Sequence, residues 1–321
     1  MSAALAIGVI GTGVMGAEHA RRLAAEVAGA HVAAVADADP ARAAAAAAAV
    51  GGRAYADALE LIRSDDVGAV VIASSDATHA AFVLACLAEG KPVLCEKPLA
   101  TTAEASLRVA EAESAAGRRL VQVGFMRRFD PAYAALKREL DEGRLGGPLL
   151  LHCAHRNASV PPTYTSDMLV TSSLTHEIDV IRWLTGEEIV TVTLRAPRSS
   201  SRANGLRDPQ LAILETEGGV LVDVEVFANA GYGYDIRCEV VGEQGTAALP
   251  VAVAATFVER FAVAYRLELQ DWVDSLADGG LRGPTAWDGY AASAVADACL
   301  TSLAQGRPVE VRLAERHALY G

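Results

Sequence analysis

The sequence predicts a two-domain α/β chain: an N-terminal doubly wound parallel sheet over residues 1–123, then a C-terminal α+β domain over residues 124–321 built on a mostly antiparallel open sheet. Three observations predict it. The length of 321 residues exceeds what one hydrophobic core usually serves. As far as Val123, short apolar runs rich in Val and Ile alternate with helical patterns, the mark of a parallel sheet covered by helices. From Gly124 the alternation stops, and strand-like runs follow one another with hairpin signals between them.

Leu5 to Ile10 is apolar and runs directly into Gly11-Thr12-Gly13-Val14-Met15-Gly16, with a helical pattern through Leu23. Strand, GxGxxG and helix in that order form a dinucleotide-binding turn of the Rossmann type. The glycines permit a tight turn and close approach of backbone to a pyrophosphate, which sits on the N–H groups and positive dipole end of the helix. A second apolar run, His31 to Ala36, ends in Asp37, where an acidic side chain accepts hydrogen bonds from an adenosine ribose. A carboxylate there repels a 2′-phosphate, so NAD is expected rather than NADP. The competing use of Asp37 is to cap the helix that begins near Pro40.

An alanine-rich helix at 41–49, a strand at Ala69 to Ala73, a helix at 77–89, a strand at Pro92 to Cys95, a helix at 102–116 and a strand at Leu120 to Val123 complete the pattern. Ligands of such sheets lie beyond the carboxyl ends of the strands. Two loops emerge there, Ser74-Ser75-Asp76-Ala77-Thr78-His79 and Glu96-Lys97-Pro98. Ser74, Ser75, His79 and Glu96 are thus candidate cofactor contacts. Lys97, directly after a buried strand, is placed to point an ammonium at a substrate oxygen; the bland alternative is a surface lysine.

The second half opens with Phe125-Met126-Arg127-Arg128-Phe129-Asp130-Pro131 and a helix to about Leu140. Leu149 to Asn157 reads as a strand in which His152 and His155 fall on opposite faces, so that a shared metal is not expected; Cys153, His155 and Asn157 share a face. Strands are expected at 188–196, 210–216, 220–229 and 235–242, with a hairpin at Glu217-Gly218-Gly219, and helices near 260–278 and 286–306. The loop from Ala196 to Arg207 carries three arginines and reads as exposed. At 3.6 residues per turn, Ser172, His176, Asp179 and Trp183 form one helical stripe. His176 is a candidate general base, because an imidazole titrates near neutral pH. The alternative is a packed helix with Trp183 in the core, His176 internally hydrogen-bonded and Asp179 paired with Arg182.

Composition excludes several classes. A net charge of −12 disfavours nucleic acid, which needs a concentrated basic face. No run of about 18 apolar residues lacks charge, and Met1 to Ile10 shows no basic leader, so a soluble cytoplasmic protein is expected. The five cysteines are odd in number and far apart, and read as reduced packing residues. A small neutral substrate fits best.

Gly11 to Gly16, Glu96-Lys97-Pro98, the segment Gly124 to Pro131, His152 to Asn157, Tyr164 to Met168, His176-Glu177-Ile178-Asp179-Val180 and Gly231 to Ile236 together resemble the Gfo/Idh/MocA oxidoreductases, and among them the inositol dehydrogenases. The resemblance implies bound NAD, hydride transfer at a secondary alcohol of a cyclitol, and a homotetramer or homodimer formed through the open sheet. It implies that Lys97 orients the reacting hydroxyl, that His176 is the base, and that Asp179 bonds substrate or histidine. Met126, Arg127, His155, Asn157 and Tyr234 or Asp235 would line the polyol pocket. Those dehydrogenases carry an aspartate where this chain has Ser172. A hydroxyl orients the imidazole but lends it no charge, so another acid (Asp179 or Asp167), a different cyclitol or amino sugar as substrate, or a protein that binds NAD with little turnover each remain open.

Overall fold

The computed structural model describes residues 4–321, which form two compact units. The first comprises the chain to Phe125 together with Tyr265–Tyr290 and Glu315–Gly321; the second comprises Met126–Ala264 and Ala291–Ala314. The chain is an α/β protein with a parallel sheet in the first unit and a mostly antiparallel mixed sheet in the second.

In the first unit β1 (Leu5–Ile10), α1 (Val14–Ala25), β2 (Ala30–Ala36), α2 (Pro40–Val50), β3 (Arg53–Tyr55), α3 (Ala58–Arg63), β4 (Ala69–Ile72), α4 (Asp76–Ala88), β5 (Val93–Glu96), α5 (Ala103–Ala116) and β6 (Val121–Gly124) follow in turn. The strands are all parallel in the order β3-β2-β1-β4-β5-β6. The strand order reverses beside β1, which makes the end of β1 and β4 the crevice where a ligand fits. The four-residue strands β4 and β5 are buried along their whole length, which is why they read as unbroken apolar runs. Strand β3 was not expected: it has three residues and is half exposed, too short to show a period.

A buried carboxylate ties the chain's end to this unit. Glu113 on α5 is fully buried; its Oε1 accepts from the backbone N–H of Leu120 and Val121, both at 2.6 Å, and its Oε2 accepts from the Tyr320 hydroxyl at 2.7 Å. Burial, and then Glu113 itself, raise the Tyr320 phenol well above its ordinary pKa, so it stays a donor.

The second unit contains α6 (Pro131–Asp141), β7 (Pro148–Arg156), α7 (Thr175–Thr185), β8 (Ile189–Arg195), β9 (Gln210–Thr216), β10 (Leu221–Phe227), β11 (Tyr234–Gly242), β12 (Gly245–Ala248), β13 (Val253–Ala254) and α8 (Phe257–Arg260). Helix α9 (Ala262–Ala277), most of it in the first unit, helix α10 (Ala286–Gln305), most of it in the second, and strand β14 (Val309–Glu310) follow. The sheet order is β12-β11-β7-β10-β9-β8-β14, with β13 on β11; β7 and β10 are its one parallel pairing among the described residues. Alternation sets the two faces. On β10, Val222, Val224 and Val226 are buried, whereas Leu221 is 44% exposed and Asp223 and Glu225 turn outward. On the same outward face His152 pairs with Asp223, and Arg156 bonds Glu225 through two nitrogens at 2.7 and 2.6 Å. The five cysteines are buried and unbridged.

Replacing Glu113 with alanine leaves the two buried backbone donors of Leu120 and Val121 without an acceptor, whereas the Tyr320 hydroxyl keeps the Ala110 carbonyl at 2.9 Å. A loss of about 3 kcal/mol is expected, since each unsatisfied buried donor costs roughly 1–3 kcal/mol; urea unfolding of Glu113→Ala measures it.

Candidate functional site

In the first unit the glycine turn has the shape its spacing predicts. Gly11 has φ +87°, and a side chain on it would meet the backbone of Ala73 and Ser74 at 2.5 Å. A side chain on Gly16 would strike the Gly11 carbonyl, so helix and turn pack directly. Gly13 has open space around it instead. It stands at the N-terminus of α1, with no side-chain cap and no acidic residue in the first turn. Uncapped N–H groups and an unneutralised dipole end there suit a phosphate. Beside it opens a cavity of about 490 Å³ whose lining includes Gly11, Gly13, Asp37, Arg42, Ser74 and Phe82. Thr12 is buried, Met15 is half-buried, and Val14 is 68% exposed.

Asp37 accepts four hydrogen bonds: from Thr12 N at 2.7 Å, Thr12 Oγ1 at 2.8 Å, Asp39 N at 2.8 Å and Arg42 Nη2 at 2.9 Å. Burial pushes its carboxyl up, but these donors together outweigh burial and bring it down to about 2. The helix-capping task falls to Asp39, which accepts from the N–H groups of Ala41 and Arg42. Asp37 is therefore an ionised acceptor on the cavity wall.

The two loops at the strand ends are joined by His79, which is 1% exposed. Its Nδ1 lies 2.7 Å from the Pro98 carbonyl and its Nε2 3.2 Å from the Ser74 carbonyl. Ser74 Oγ bonds Thr78 Oγ1 at 2.7 Å, and Ser75 is exposed. Glu96 ends β5 and is buried; His19, a fully buried residue of α1, sits with Nε2 at 2.7 Å from its Oε1, and the N–H of Lys97 points at its Oε2 from 3.3 Å. Burial raises the Glu96 pKa, yet the His19 bond and charge, with Lys97 and His79 behind them, lower it overall. Lys97 is half-buried, which departs from the bland expectation of a surface lysine.

In the second unit the expected uniform helix around His176 is replaced by two kinds of turn. Leu169–Leu174 is π-helical and the α-helix starts only at Thr175, whose N–H reaches the Val170 carbonyl. The 3.6-residue stripe therefore holds from His176 through Asp179 to Trp183, while Ser172 sits in the wider turn upstream. π-turns inside helices occur frequently at functional sites. Ser172 is half-buried, and its neighbour Ser173 is held by the Tyr164 hydroxyl at 2.8 Å and by Asn157 Nδ2 at 3.5 Å. The packed-helix alternative does not describe α7, since Trp183 is only half-buried and Arg182 bonds Glu188 at 2.6 and 2.8 Å.

Asp179 instead receives Arg128 through two bonds, Nε to Oδ2 at 3.0 Å and Nη2 to Oδ1 at 2.5 Å. Next to it, Arg127 and Glu177, each 1% exposed, form a buried pair through Nη1 and Oε1. Burial opposes both charges, but each holds the other charged: Arg127 is raised and Glu177 is lowered from the ordinary values. Met126, one residue earlier, is 1% exposed. The cluster extends to His155, whose Nδ1 is 3.0 Å from Glu177 Oε2 and 3.1 Å from Arg127 Nη2. His155 has the rings of His176 and Tyr234 around it, with centroids at 6.1 and 5.7 Å. Of the two residues weighed on β11, Tyr234 lies on this face. Asp235 lies on the other, where Arg156, Tyr232 and Arg237 bond its carboxylate. Asp167 is exposed.

The structure thus gathers Met126, Arg127, His155, His176 and Tyr234 into one buried neighbourhood. Sequence reasoning missed His19 and Arg42 in the first unit, and Arg128 and Glu177 in the second. Their partners lie 5 to 77 residues away, and a hydrogen bond over that distance leaves no local period.

A parallel sheet with a glycine turn, an open helix N-terminus and an ionised acid at the end of the second strand defines a dinucleotide-binding oxidoreductase. The family models agree: residues 5–125 match "Oxidoreductase family, NAD-binding Rossmann fold" and residues 137–311 match "Oxidoreductase family, C-terminal alpha/beta domain". The chain belongs to the Gfo/Idh/MocA oxidoreductase family, and it is an NAD-dependent oxidoreductase. It is 56% identical to inositol 2-dehydrogenase 1 of Saccharopolyspora erythraea over 98% of each chain. It is 49% identical to inositol 2-dehydrogenase of Burkholderia cenocepacia over 98% of this chain and 99% of that one. A crystal structure of myo-inositol dehydrogenase from Lactobacillus casei, in complex with NAD(H) and myo-inositol, superposes with a TM-score of 0.95 at 37% identity, covering 99% of this chain and all of that one.

Replacing Asp37 with alanine should weaken NAD binding by about ten- to a hundredfold and narrow the margin over NADP, because hydrogen bonds to charged groups carry roughly 1.5–3 kcal/mol. A carboxyl lowered from 3.8 to about 2 is fully ionised above its ordinary pKa and becomes protonated only as pH falls toward 2. Asp37 should therefore impose no pH dependence on nucleotide affinity over about pH 5 to 8, as isothermal titration at three pH values will show.

Proposed function

We propose that the protein oxidises a secondary alcohol of a cyclitol, myo-inositol or a close relative, to the ketone. What carries the reading is identity of about half the residues, along nearly whole chains, with proteins named inositol 2-dehydrogenase. Bound NAD supplies the hydride acceptor. The uncapped start of α1 holds the pyrophosphate, Asp37 holds the ribose, and the loops at Ser74, Ser75 and Glu96 border the cofactor.

In this reading Lys97 donates a hydrogen bond to the reacting hydroxyl and stabilises the charge that develops on its oxygen. His176 takes the proton, as an imidazole does near neutral pH. Tyr234, His155, Met126 and Asn157 give the polyol a wall that mixes apolar surface with hydrogen-bonding edges. Arg127 and Asp179 act behind that wall, since Glu177 and Arg128 occupy them, and Asp235 acts at the far face of the sheet. The same outward face, with Leu150, Leu211 and Leu221 each at least 38% exposed among paired charges, is the surface we assign to self-association as a dimer or tetramer.

Ser172 favours a second reading within this class. Without a carboxylate at that position, the imidazolium formed in the reaction lacks a counter-charge there. An aminocyclitol or sugar hydroxyl whose own polar group contacts the histidine would then be the better substrate.

Incubated with NAD and myo-, scyllo- or chiro-inositol, the protein should form NADH, read at the nicotinamide absorbance; silence on these but turnover of an aminocyclitol would select the second reading. His176→Ala and Lys97→Ala should each lower kcat at least a hundredfold, the scale of general acid–base catalysis, roughly 10²–10⁴. Ser172→Asp should raise kcat by about tenfold or more, since two charges about 4 Å apart interact by up to roughly 4 kcal/mol at an effective dielectric near 20. It should also move the acidic limb of the pH profile to higher pH, because an added anion raises the pKa of a neighbouring imidazole. An unchanged profile would remove Ser172 from the rate argument.

A further inference from the structure

His155 presents a contradiction that its surroundings resolve. The Nδ1 atom has two close partners, Glu177 Oε2 at 3.0 Å and Arg127 Nη2 at 3.1 Å. A ring nitrogen either donates or accepts. A carboxylate only accepts and a guanidinium only donates, so one of the two contacts is a hydrogen bond and the other is not.

The choice follows from what each alternative leaves unsatisfied. Suppose Nδ1 accepted from Arg127. Its lone pair would then face a carboxylate oxygen at 3.0 Å, in a place where His155 is 3% and Glu177 1% exposed and the repulsion is little screened. Suppose instead that Nδ1 carries the proton. Glu177 Oε2 then receives a charge-assisted bond, Oε1 keeps Arg127 Nη1, and Arg127 also has the Tyr234 phenol to bond. Only the second arrangement spares the carboxylate a lone pair at hydrogen-bonding distance.

We propose that Glu177 is a positioning residue for His155: its carboxylate takes the Nδ1 proton and so fixes the imidazole in the tautomer whose Nε2 accepts a hydrogen bond from the polyol. This rests on the reading of His155 as part of the polyol wall. The consequence is a matter of selectivity. A ring edge that accepts favours a group that donates, a hydroxyl or an amine, over an ether or ketone oxygen at the same place, because the latter would set lone pair against lone pair. Arg127 has the complementary task of keeping Glu177 ionised. It is thereby removed from substrate contact, which accounts for an arginine buried to 1% exposure.

The test reads the proton directly. In protein labelled with ¹⁵N-histidine, His155 is identified among the seven histidines by its disappearance in His155→Asn, and the shifts of its two nitrogens report which one is protonated. The expected result for the unmodified protein at neutral pH, without cofactor or substrate, is protonation at Nδ1. Protonation at Nε2, or at both nitrogens, overturns the proposal. Glu177→Gln, whose amide offers a donor as well as an acceptor, should lose the preference and raise KM for the polyol by about tenfold, with a smaller change in kcat and none in NAD affinity. Glu177→Asp should restore part of it. An unaltered KM in Glu177→Gln would also overturn the positioning role. Because Glu177→Gln alone strands the Arg127 charge, the doubly substituted Arg127→Gln/Glu177→Gln protein is measured beside it, with the same loss of Nδ1 protonation expected. The spectrum requires no turnover, so failure to oxidise any polyol would sink the functional reading while leaving the tautomer decided either way.

Discussion

The arrangement around His176 depends on two ion pairs made by consecutive arginines. Arg127 and Arg128 stand in one short turn; the first takes Glu177 and the second takes Asp179, two residues further along α7. Residues two apart on a helix point in different directions, so the two arginines grip the helix from two sides and fix its rotation as well as its distance. Buried pairs of this kind contribute little net stability, because desolvation offsets most of the attraction. Removing one partner is another matter, at roughly 3–5 kcal/mol, since it leaves an uncompensated charge inside. The pairs therefore specify where the helix sits more than they strengthen the fold, and that is the property the base proposed on the same helix would require.

The same logic recurs in the first unit with different chemistry. Glu96 is a buried carboxylate at the end of a strand, and its partner is a fully buried histidine on the first helix. The bond joins the helix that follows the glycine turn to the strand that ends beside Lys97. His79 makes a similar link between the Ser74 carbonyl and Pro98. Two imidazoles thus brace the loops that leave the strand ends, where backbone alone would be free to move.

Much of the fold was legible because it repeats. Apolar strands of four to seven residues alternating with helices declare a parallel sheet, and the glycine turn carries its own steric reasons in Gly11 and Gly16. Short exposed strands such as β3 and β14, of three and two residues, hold no period to read. The π-turn at 169–174 escaped because the extra residue per turn is set by packing rather than composition, and its run of Leu, Val, Thr and Ser carries no period that marks it. Site residues divided the same way. Lys97 and His176 were visible from their place at a strand end and on a helix face. Glu177 and His19 were invisible because their meaning comes from partners 22 to 77 residues distant. Tyr234 and Asp235 could be told apart only once the register of β11 against β7 assigned each to a face.

That division bears on Ser172. If another acid stood in for the missing carboxylate, the nearest candidates in sequence are Asp167, Glu177 and Asp179. Asp167 is exposed, so any charge it lends is screened by solvent. Glu177 and Asp179 are buried, but each is matched by an arginine at hydrogen-bonding distance, and a matched pair presents a dipole rather than a charge to its surroundings. The interaction of a dipole with an imidazolium falls off faster than that of an ion. A carboxylate matched or screened in this way offers an imidazolium a weaker field than a bare aspartate would. In the proposed reaction the counter-charge would then come from the substrate or be done without, so a polar group carried by the cyclitol would bear directly on turnover.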